Sequence, residues 1–427
     1  MHIVFVTIEL ATENNSSGGL ASFTANMARI FSSHGHKVSI ILVGTKEEKL
    51  TFDKGIDLQV LYVEMDKWER MDKAAQELFQ IYDESQDEIR RTFINLYKSI
   101  KVEQIIAKIN KENKIDIVHY CNHGSLNLLA DKNIPYVVRI SGFLNIWNNG
   151  ASVPNGSLEY HDNPLTIKQK LEEYTIKRAK NVICPSNLLS DICKKNLGIN
   201  AVVLESPFVL NKMSWDYSVY NDCCIEGEYI IHYGTQSCLK GTHIVAQVVY
   251  EVLKKYKNIN FVLIGADKNL QDADGTIYKA KELVKKRAKE YGDRVVCLDK
   301  LPREQLYPFI ENASICLLPS RMDNLPNACI EAMAMGKIVV GTNGASFEQL
   351  ITDGVNGFLG ERDNADSYII SIERVLALSE EAKKHISENA KRTVERLSPE
   401  NIYNKYINYY RKVIQEWQWN TEKEDIV

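Results

Sequence analysis

Short apolar runs alternate along the chain with longer stretches whose apolar residues recur at helical spacing. Residues 2–8 (HIVFVTI) read as a buried strand. A polar loop over 11–19 follows, then an amphipathic stretch over 20–34 that stops at Gly35, a residue suited to a helix C-terminus. Residues 37–43 return to strand, and 115–120, 136–140, 181–184 and 201–204 are further short β runs. Helical patterns lie between several of them. This alternation predicts a doubly wound, mostly parallel sheet.

The same rhythm restarts near residue 228. Strands are predicted over 228–233, 260–264, 294–298, 314–318 and 337–340, and helices over 243–256, 279–290, 304–310 and 327–335. The halves share no clear sequence repeat. Residues 206–226 lack periodicity and read as a linker. The chain thus divides into an N-terminal α/β domain over 1–210, a C-terminal α/β domain over 211–398 and a terminal helix over 399–427. The Tyr- and Trp-rich pattern of that helix predicts that it docks rather than dangles. Residues 67–114 form a mostly helical insertion with Lys98, Lys101, Lys108, Lys111 and Lys114 toward its end. It reads as a solvated helical face, with a membrane-surface or acceptor role as the sharper alternative.

Composition narrows the class. The 427 residues predict two or three domains at roughly 100–200 residues each. A net charge of −4 speaks against a protein held to nucleic acid by overall charge. No apolar run approaches the roughly 20 residues of a membrane span, and the first ten residues lack the basic region of a signal peptide. The nine cysteines are odd in number, without metal-type CxxC spacing, and read as reduced thiols of a cytoplasmic protein.

The segment PSRMDNLPNACIEAMAMG, residues 319–336, carries the strongest candidate chemistry. A predicted strand feeds a loop, then a helix of about ten residues opened near Pro326, with Asn324 as its cap and Gly336 as its end. The free amides of such a helix start favour an anion. Asp323 on the loop and Glu331 in the second turn both reach the carboxyl end of the strands, where open α/β sheets bind ligands. Carboxylates suit sugar and ribose hydroxyls; a capping Asp and a helix-favouring Glu is the plainer alternative.

Asp323-x7-Glu331 followed by Ala-Met-Ala-Met-Gly resembles the acidic E-x7-E signature of glycosyltransferase family 4, in a variant with a DNLPN context. The resemblance implies a retaining enzyme of GT-B fold, with two Rossmann-like domains facing a central cleft: residues 1–210 on the acceptor side, 211–398 binding the nucleotide sugar, and the helix over 399–427 crossing back to the first domain. It implies that Glu331 holds the ribose of a nucleotide, and that Asp323, Asn324, Leu325, Pro326 and Asn327 meet the donor hexose and phosphates. Residues 341–359 are similar to the G-x-x-G-x-x-E-x-I-x-x-G-x-x-G-F block of that family, with Gly344 at the ligand and Glu348 as the matching acid.

Residues 233–247 (YGTQSCLKGTHIVAQ) place Lys240 and Gly241 between a strand and a helix, where a lysine can neutralise a diphosphate. They resemble the G-R-x-x-x-x-K-G block of family 4. Gly234, Lys240 and Gly241 match it, whereas Thr235 stands at the arginine position and brings no charge. Ser16-Ser17-Gly18-Gly19 follows the first strand, and its glycines let the backbone approach a phosphate. In 134–143 (IPYVVRISGF) many family members carry a histidine where this chain has Ser141, and His123 and Arg139 lie close enough in sequence to compensate. His119 and His123 flank the end of the preceding strand. Asp272-Ala273-Asp274 is a D-x-D triplet, read as chance rather than as a metal site.

The resemblance therefore implies hexose transfer from a nucleotide-diphosphate sugar, UDP-linked by preference, to a glycan, lipid-linked glycan or protein. The task is surface polysaccharide or glycoconjugate assembly, with contact at the inner membrane face. The nucleotide sugar is a substrate, and no cofactor or metal is expected. A phosphorylase, a nucleotide-sugar epimerase, a non-catalytic binding protein or a partner-dependent enzyme on the same fold are the alternatives.

Overall fold

The computed structural model describes all residues except 13–17, 45–51, 63–85, 147–165, 211–214, 273 and 425–427. Its contacts divide into two units: Met1–Asn145, His161–Pro207 and Pro399–Val427 in the first, Ile146–Tyr160 and Phe208–Ser398 in the second.

The first unit is built on seven strands: β1 His2–Thr7, β2 Lys37–Gly44, β3 Asp57–Tyr62, β4 Ile117–Cys121, β5 Tyr136–Arg139, β6 Val182–Cys184 and β7 Val202–Val203. All pair in parallel, in the order β3-β2-β1-β4-β5-β6-β7. Every residue of β1 and β4 is buried, as expected for central parallel strands covered on both faces. Helix α1 (Gly19–Ser33) ends where predicted, with Gly35 at φ +77°. Further helices are α2 (Gln86–Glu112), α3 (Ile167–Arg178) and α4 (Asn187–Ile192). The second half of the predicted helical insertion is thus α2, and its residues 67–85 lie outside the described residues.

The second unit has β8 Glu228–Tyr233, β9 Ile259–Ile264, β12 Val295–Leu298, β13 Ile315–Leu317, β14 Val339–Asn343 and β15 Phe358–Glu361 in one parallel sheet. Its order is β12-β9-β8-β13-β14-β15. A two-stranded antiparallel hairpin, β10 Asn269–Gln271 and β11 Ile277–Lys279, stands apart from it. The helices are α5 Thr242–Lys255, α6 Ala280–Arg287, α7 Arg303–Asn312, α8 Asn327–Ala334, α9 Ala365–Leu376 and α10 Glu380–Glu395. Val248, Val249 and Leu253 of α5 pack with Phe261 and Leu263 of β9 and with Tyr368 and Ile372 of α9 in one apolar core.

Helix α11 (Pro399–Glu424) completes the first unit. The Tyr410 ring stacks on Phe31 of α1 with centroids 5.5 Å apart, and the Tyr406 hydroxyl donates to the Leu204 carbonyl at 3.1 Å.

The predicted α/β alternation is borne out, with corrections at the edges. β3 and β15 were not predicted. Both are outermost strands, and their mixed sequences (DLQVLY, FLGE) lack the continuous apolar run of a central strand. Part of the predicted linker is ordered: residues 218–222 form a short helix, and the Tyr220 ring packs edge-on against Phe309 of α7 at 5.2 Å. The N-terminal part of the first unit ends at Pro207, three residues before the predicted boundary. His119 lies inside β4 rather than at its end.

Candidate functional site

In the second unit the strand order reverses direction between β8 and β13, because the chain winds outward from β8 in both directions. Ligands of doubly wound sheets bind at the carboxyl ends of strands beside such a switch point. The loop after β8 carries Lys240, and the loop after β13 carries Asp323.

Glycine brings these two loops together. Gly241 sits at φ +78°, and a Cβ there would meet the Pro319 carbonyl oxygen at 1.9 Å, so only glycine permits the approach. The Arg321 amide donates to the Leu239 carbonyl at 2.9 Å across the same junction. Lys240 Nζ consequently lies 2.5 Å from Asp323 Oδ2, and the Asn324 amide donates to the other carboxylate oxygen at 3.0 Å. The lysine loop is held from below: His232 of β8 bonds the Leu317 carbonyl and Thr242 Oγ1, which accepts from the Ser237 amide. Burial keeps His232 neutral, with its pKa pushed down to about 4.

Helix α8 starts at Asn327, with Pro326 as its N-cap and no side chain capping it. The predicted cap, Asn324, is therefore corrected: it precedes the helix by three residues and bonds through its amide to Asp323. The helix has eight residues rather than about ten. Leu325 and Pro326 are buried, so they offer backbone rather than side chains. Glu331 is 7% exposed, with the Tyr307 hydroxyl donating at 3.4 Å and Arg303 Nε at 3.5 Å. Burial raises its pKa, opposed by the Arg303 charge and the Tyr307 hydrogen bond.

Gly344 follows β14 at φ +80°, with its amide donating to Glu348 Oε2 at 3.2 Å and its carbonyl accepting from Arg362. Glu348 thus braces the glycine turn. Gly234, at φ +107°, and Thr235 are exposed at the end of β8, and the Thr235 hydroxyl has no hydrogen bond among the described residues.

Sequence reasoning missed Arg303 and Tyr307, whose i,i+4 spacing on α7 was their only signal. It also missed a buried network under the site. Arg321, 2% exposed, donates through Nε to both oxygens of Asp363 at 2.9 Å, and His243 Nε2 lies 3.1 Å from the same carboxylate. Burial alone would raise the Asp363 pKa; the bonds from His243 and Arg321 and the Arg321 charge override it and hold it at about 2.

The first unit gathers the remaining predicted residues at the carboxyl ends of β1, β4 and β5. Gly18 and Gly19 open α1 and are exposed, with no side-chain cap; Ser16 and Ser17 lie outside the described residues. His123 sits in a turn after β4, with Nδ1 3.7 Å from Glu172 Oε1. Burial, then the charges of Lys168 and Arg139, push its pKa down to about 4, while burial pushes Glu172 up to about 7. Asn122 ties the group together, donating to Glu172 at 2.8 Å and accepting from the Ser141 amide at 2.9 Å. Arg139 donates to Ser141 Oγ at 2.5 Å. His119 bonds Tyr410 at 2.5 Å and is a packing residue.

Asp272 of the D-x-D triplet pairs with Lys286 and Arg287, Asp274 accepts from the Thr276 amide, and Ala273 lies outside the described residues. Among the described residues, no cluster of histidine, cysteine and acidic side chains has the form of a metal site, and no helix is long and apolar enough to cross a membrane.

Comparison with known proteins agrees with this geometry. Residues 226–393 match the family described as Glycosyl transferases group 1. An uncharacterized glycosyltransferase of Methanocaldococcus jannaschii, MJ1178, is 24% identical over 63% of this chain and 70% of its own length. Lipopolysaccharide 1,2-N-acetylglucosaminetransferase of Salmonella typhimurium is 27% identical over 42% of this chain and 46% of its own length. Among solved structures, Anabaena Alr3699/HepE in complex with UDP and glucose superposes with a TM-score of 0.62 at 14% identity, covering 96% of this chain and all of that one. The chain has the GT-B fold, and within its second unit residues 226–393 match the glycosyl transferases group 1 family.

Proposed function

We propose that the protein is a retaining hexosyltransferase of the family 4 type. It would move a hexose from a UDP-sugar to a glycan, lipid-linked glycan or protein acceptor in surface polysaccharide or glycoconjugate assembly. The observation that carries this reading is the Lys240–Asp323 pair beside the uncapped start of α8, at the switch point of the second sheet.

Cleaving an anomeric C–O bond to a diphosphate builds negative charge on the leaving phosphate and positive charge on the sugar. Lys240 and the first amides of α8 meet the former. Asp323 holds the lysine in place before the donor arrives and meets the hexose hydroxyls once it has. Glu331, braced by Arg303 and Tyr307, accepts from the ribose. Thr235 leaves the phosphates without the usual arginine. In the first unit, the group around His123, Arg139 and Ser141 faces the acceptor. Retention through front-face attack rests on the family resemblance. The reading places the reaction in the cytoplasm, at the inner membrane face where the acceptor is lipid-linked. The UDP of the Anabaena structure and the lipopolysaccharide named for the Salmonella relative support the donor and acceptor classes.

Calorimetric titration with UDP, GDP, ADP and their hexose derivatives tests this. UDP and one UDP-hexose should bind, Glu331→Ala should weaken binding, and Asp323→Ala and Lys240→Met should chiefly lower turnover, by about 10²-fold for the lysine. Unchanged binding and rate in all three folded variants would reject the site. Binding without turnover on any acceptor would favour a non-catalytic binding protein, the reading to which Thr235 points.

A further inference from the structure

Arg139 ends β5 at its carboxyl edge and is 4% exposed. Its guanidinium donates to Ser141 Oγ at 2.5 Å and Ser206 Oγ at 2.9 Å, bonds the Tyr406 hydroxyl, and lies 3.8 Å over the Phe23 ring. Its Nε is buried and has no acceptor among the described residues. Among the described residues no carboxylate pairs with it. Glu172 accepts from Asn122 and from the Leu144 amide, and Glu205 faces Lys405 at 3.4 Å. The nearby histidines supply no negative charge.

A buried cation without a counter-ion is strongly disfavoured, and a purely structural arginine would be paired. Among the described residues Arg139 has hydroxyl partners but no counter-charge, and it stands at the strand edge where parallel sheets take their ligands. The planar fork of arginine matches a phosphate in two places at once. Ser206 is part-exposed, and its hydroxyl, which accepts from Arg139, keeps its own proton to donate. We propose that Arg139 and Ser206 form a receptor for a phosphate ester on the acceptor, so that the enzyme selects a phosphorylated acceptor. The role as acceptor site rests on the transferase reading above; the anion site itself does not.

The test titrates the full chain with inorganic phosphate, in the wild type and in Arg139→Met, Lys240→Met and Ser206→Ala. Lys240→Met, in which the donor phosphate site is disabled, should still bind phosphate, and in that background binding should be at least about tenfold weaker with Arg139→Met and several-fold weaker with Ser206→Ala, which buries no new charge. Arg139→Met should also melt at or above the wild-type temperature, since it removes an uncompensated charge. Phosphate affinity left unchanged by both Arg139→Met and Ser206→Ala, or a loss confined to Lys240→Met, would overturn the proposal. So would a lowered melting temperature in Arg139→Met with no phosphate dependence in any variant. Competition by glucose 6-phosphate would identify a soluble acceptor, and competition by a polyprenyl phosphate in micelles a lipid-borne one. Failure of both would overturn the acceptor role. UDP is titrated separately into each variant, so loss of the donor reading and loss of the anion site are told apart.

Discussion

Asp363 adopts φ +55°, a left-handed conformation that few residues other than glycine, asparagine and aspartate tolerate. From there its carboxylate joins His243 of α5 to Arg321, two residues before Asp323. Asp363→Asn would leave the Arg321 guanidinium buried without its counter-charge. The expected loss is about 3–5 kcal/mol of stability by urea unfolding, with UDP affinity falling as the Asp323 loop loosens. Arg321→Met alone should destabilise less, because it leaves a partly exposed acid rather than a buried cation. Asp323, Glu331 and Lys240 were legible in the sequence because each sits at a fixed spacing from a helix start or a glycine. Asp363, Arg303 and Tyr307 were not, because each meets its partner from an element far away in the chain. Thr235 and Ser141, visible as departures from the family pattern, occupy strand ends where a change of side chain leaves the backbone intact.

Among the elements, α11 shows how a terminal helix becomes part of a core. Its Tyr403, Tyr406 and Tyr410 face α1 and β4, and its first turn is tied by His34 Nε2 to Glu400 Oε2 at 3.0 Å, with His34 stacked on Tyr403 at 3.7 Å. The bond from His34 to the Ile30 carbonyl, then the Glu400 carboxylate, raises the His34 pKa above 6.5. The Ile30 bond lies within α1 and is independent of docking; through the Glu400 contact alone, protonated His34 favours docking below pH 6.5, and this contribution is lost as pH rises through the raised value. His36, bonded to the same Tyr403, is shifted down by burial and acts in the opposite sense. Hydrogen exchange over 399–406 isolates the first effect: between pH 6 and 8 the protection should fall more in the wild type than in His34→Gln. An equal fall would remove His34 from the docking. The aromatic periodicity of this helix was plain in the sequence, and central strands were plain from their apolar runs. Edge strands β3 and β15 were not, because one exposed side breaks the run that signals burial.

In the whole molecule the two sheets share one topology, each winding outward from its first strand, and each carries its candidate residues at the carboxyl ends of strands. The rhythm of strands and helices announced both sheets without any sequence repeat between them, since parallel sheets require only the alternation. Hydrogen exchange with saturating UDP should protect 233–241, 319–330 and 343–348 in the second unit. Inorganic phosphate should instead protect 139–142 and 204–206 in the first. A single footprint common to both ligands would show that one site had been mistaken for two.

The second unit is nearly continuous in the chain, whereas the first waits for Pro399–Val427 to finish it. On a translating ribosome the order of assembly is therefore reversed. The later-made unit has residues 208–398 in one stretch and needs nothing made after them. The earlier-made sheet must keep the face of Phe31 and His119 uncovered until the last helix emerges. The aromatic positions of that face are where a nascent-chain chaperone would find this protein, and a stop codon late in the message would damage the half synthesised first.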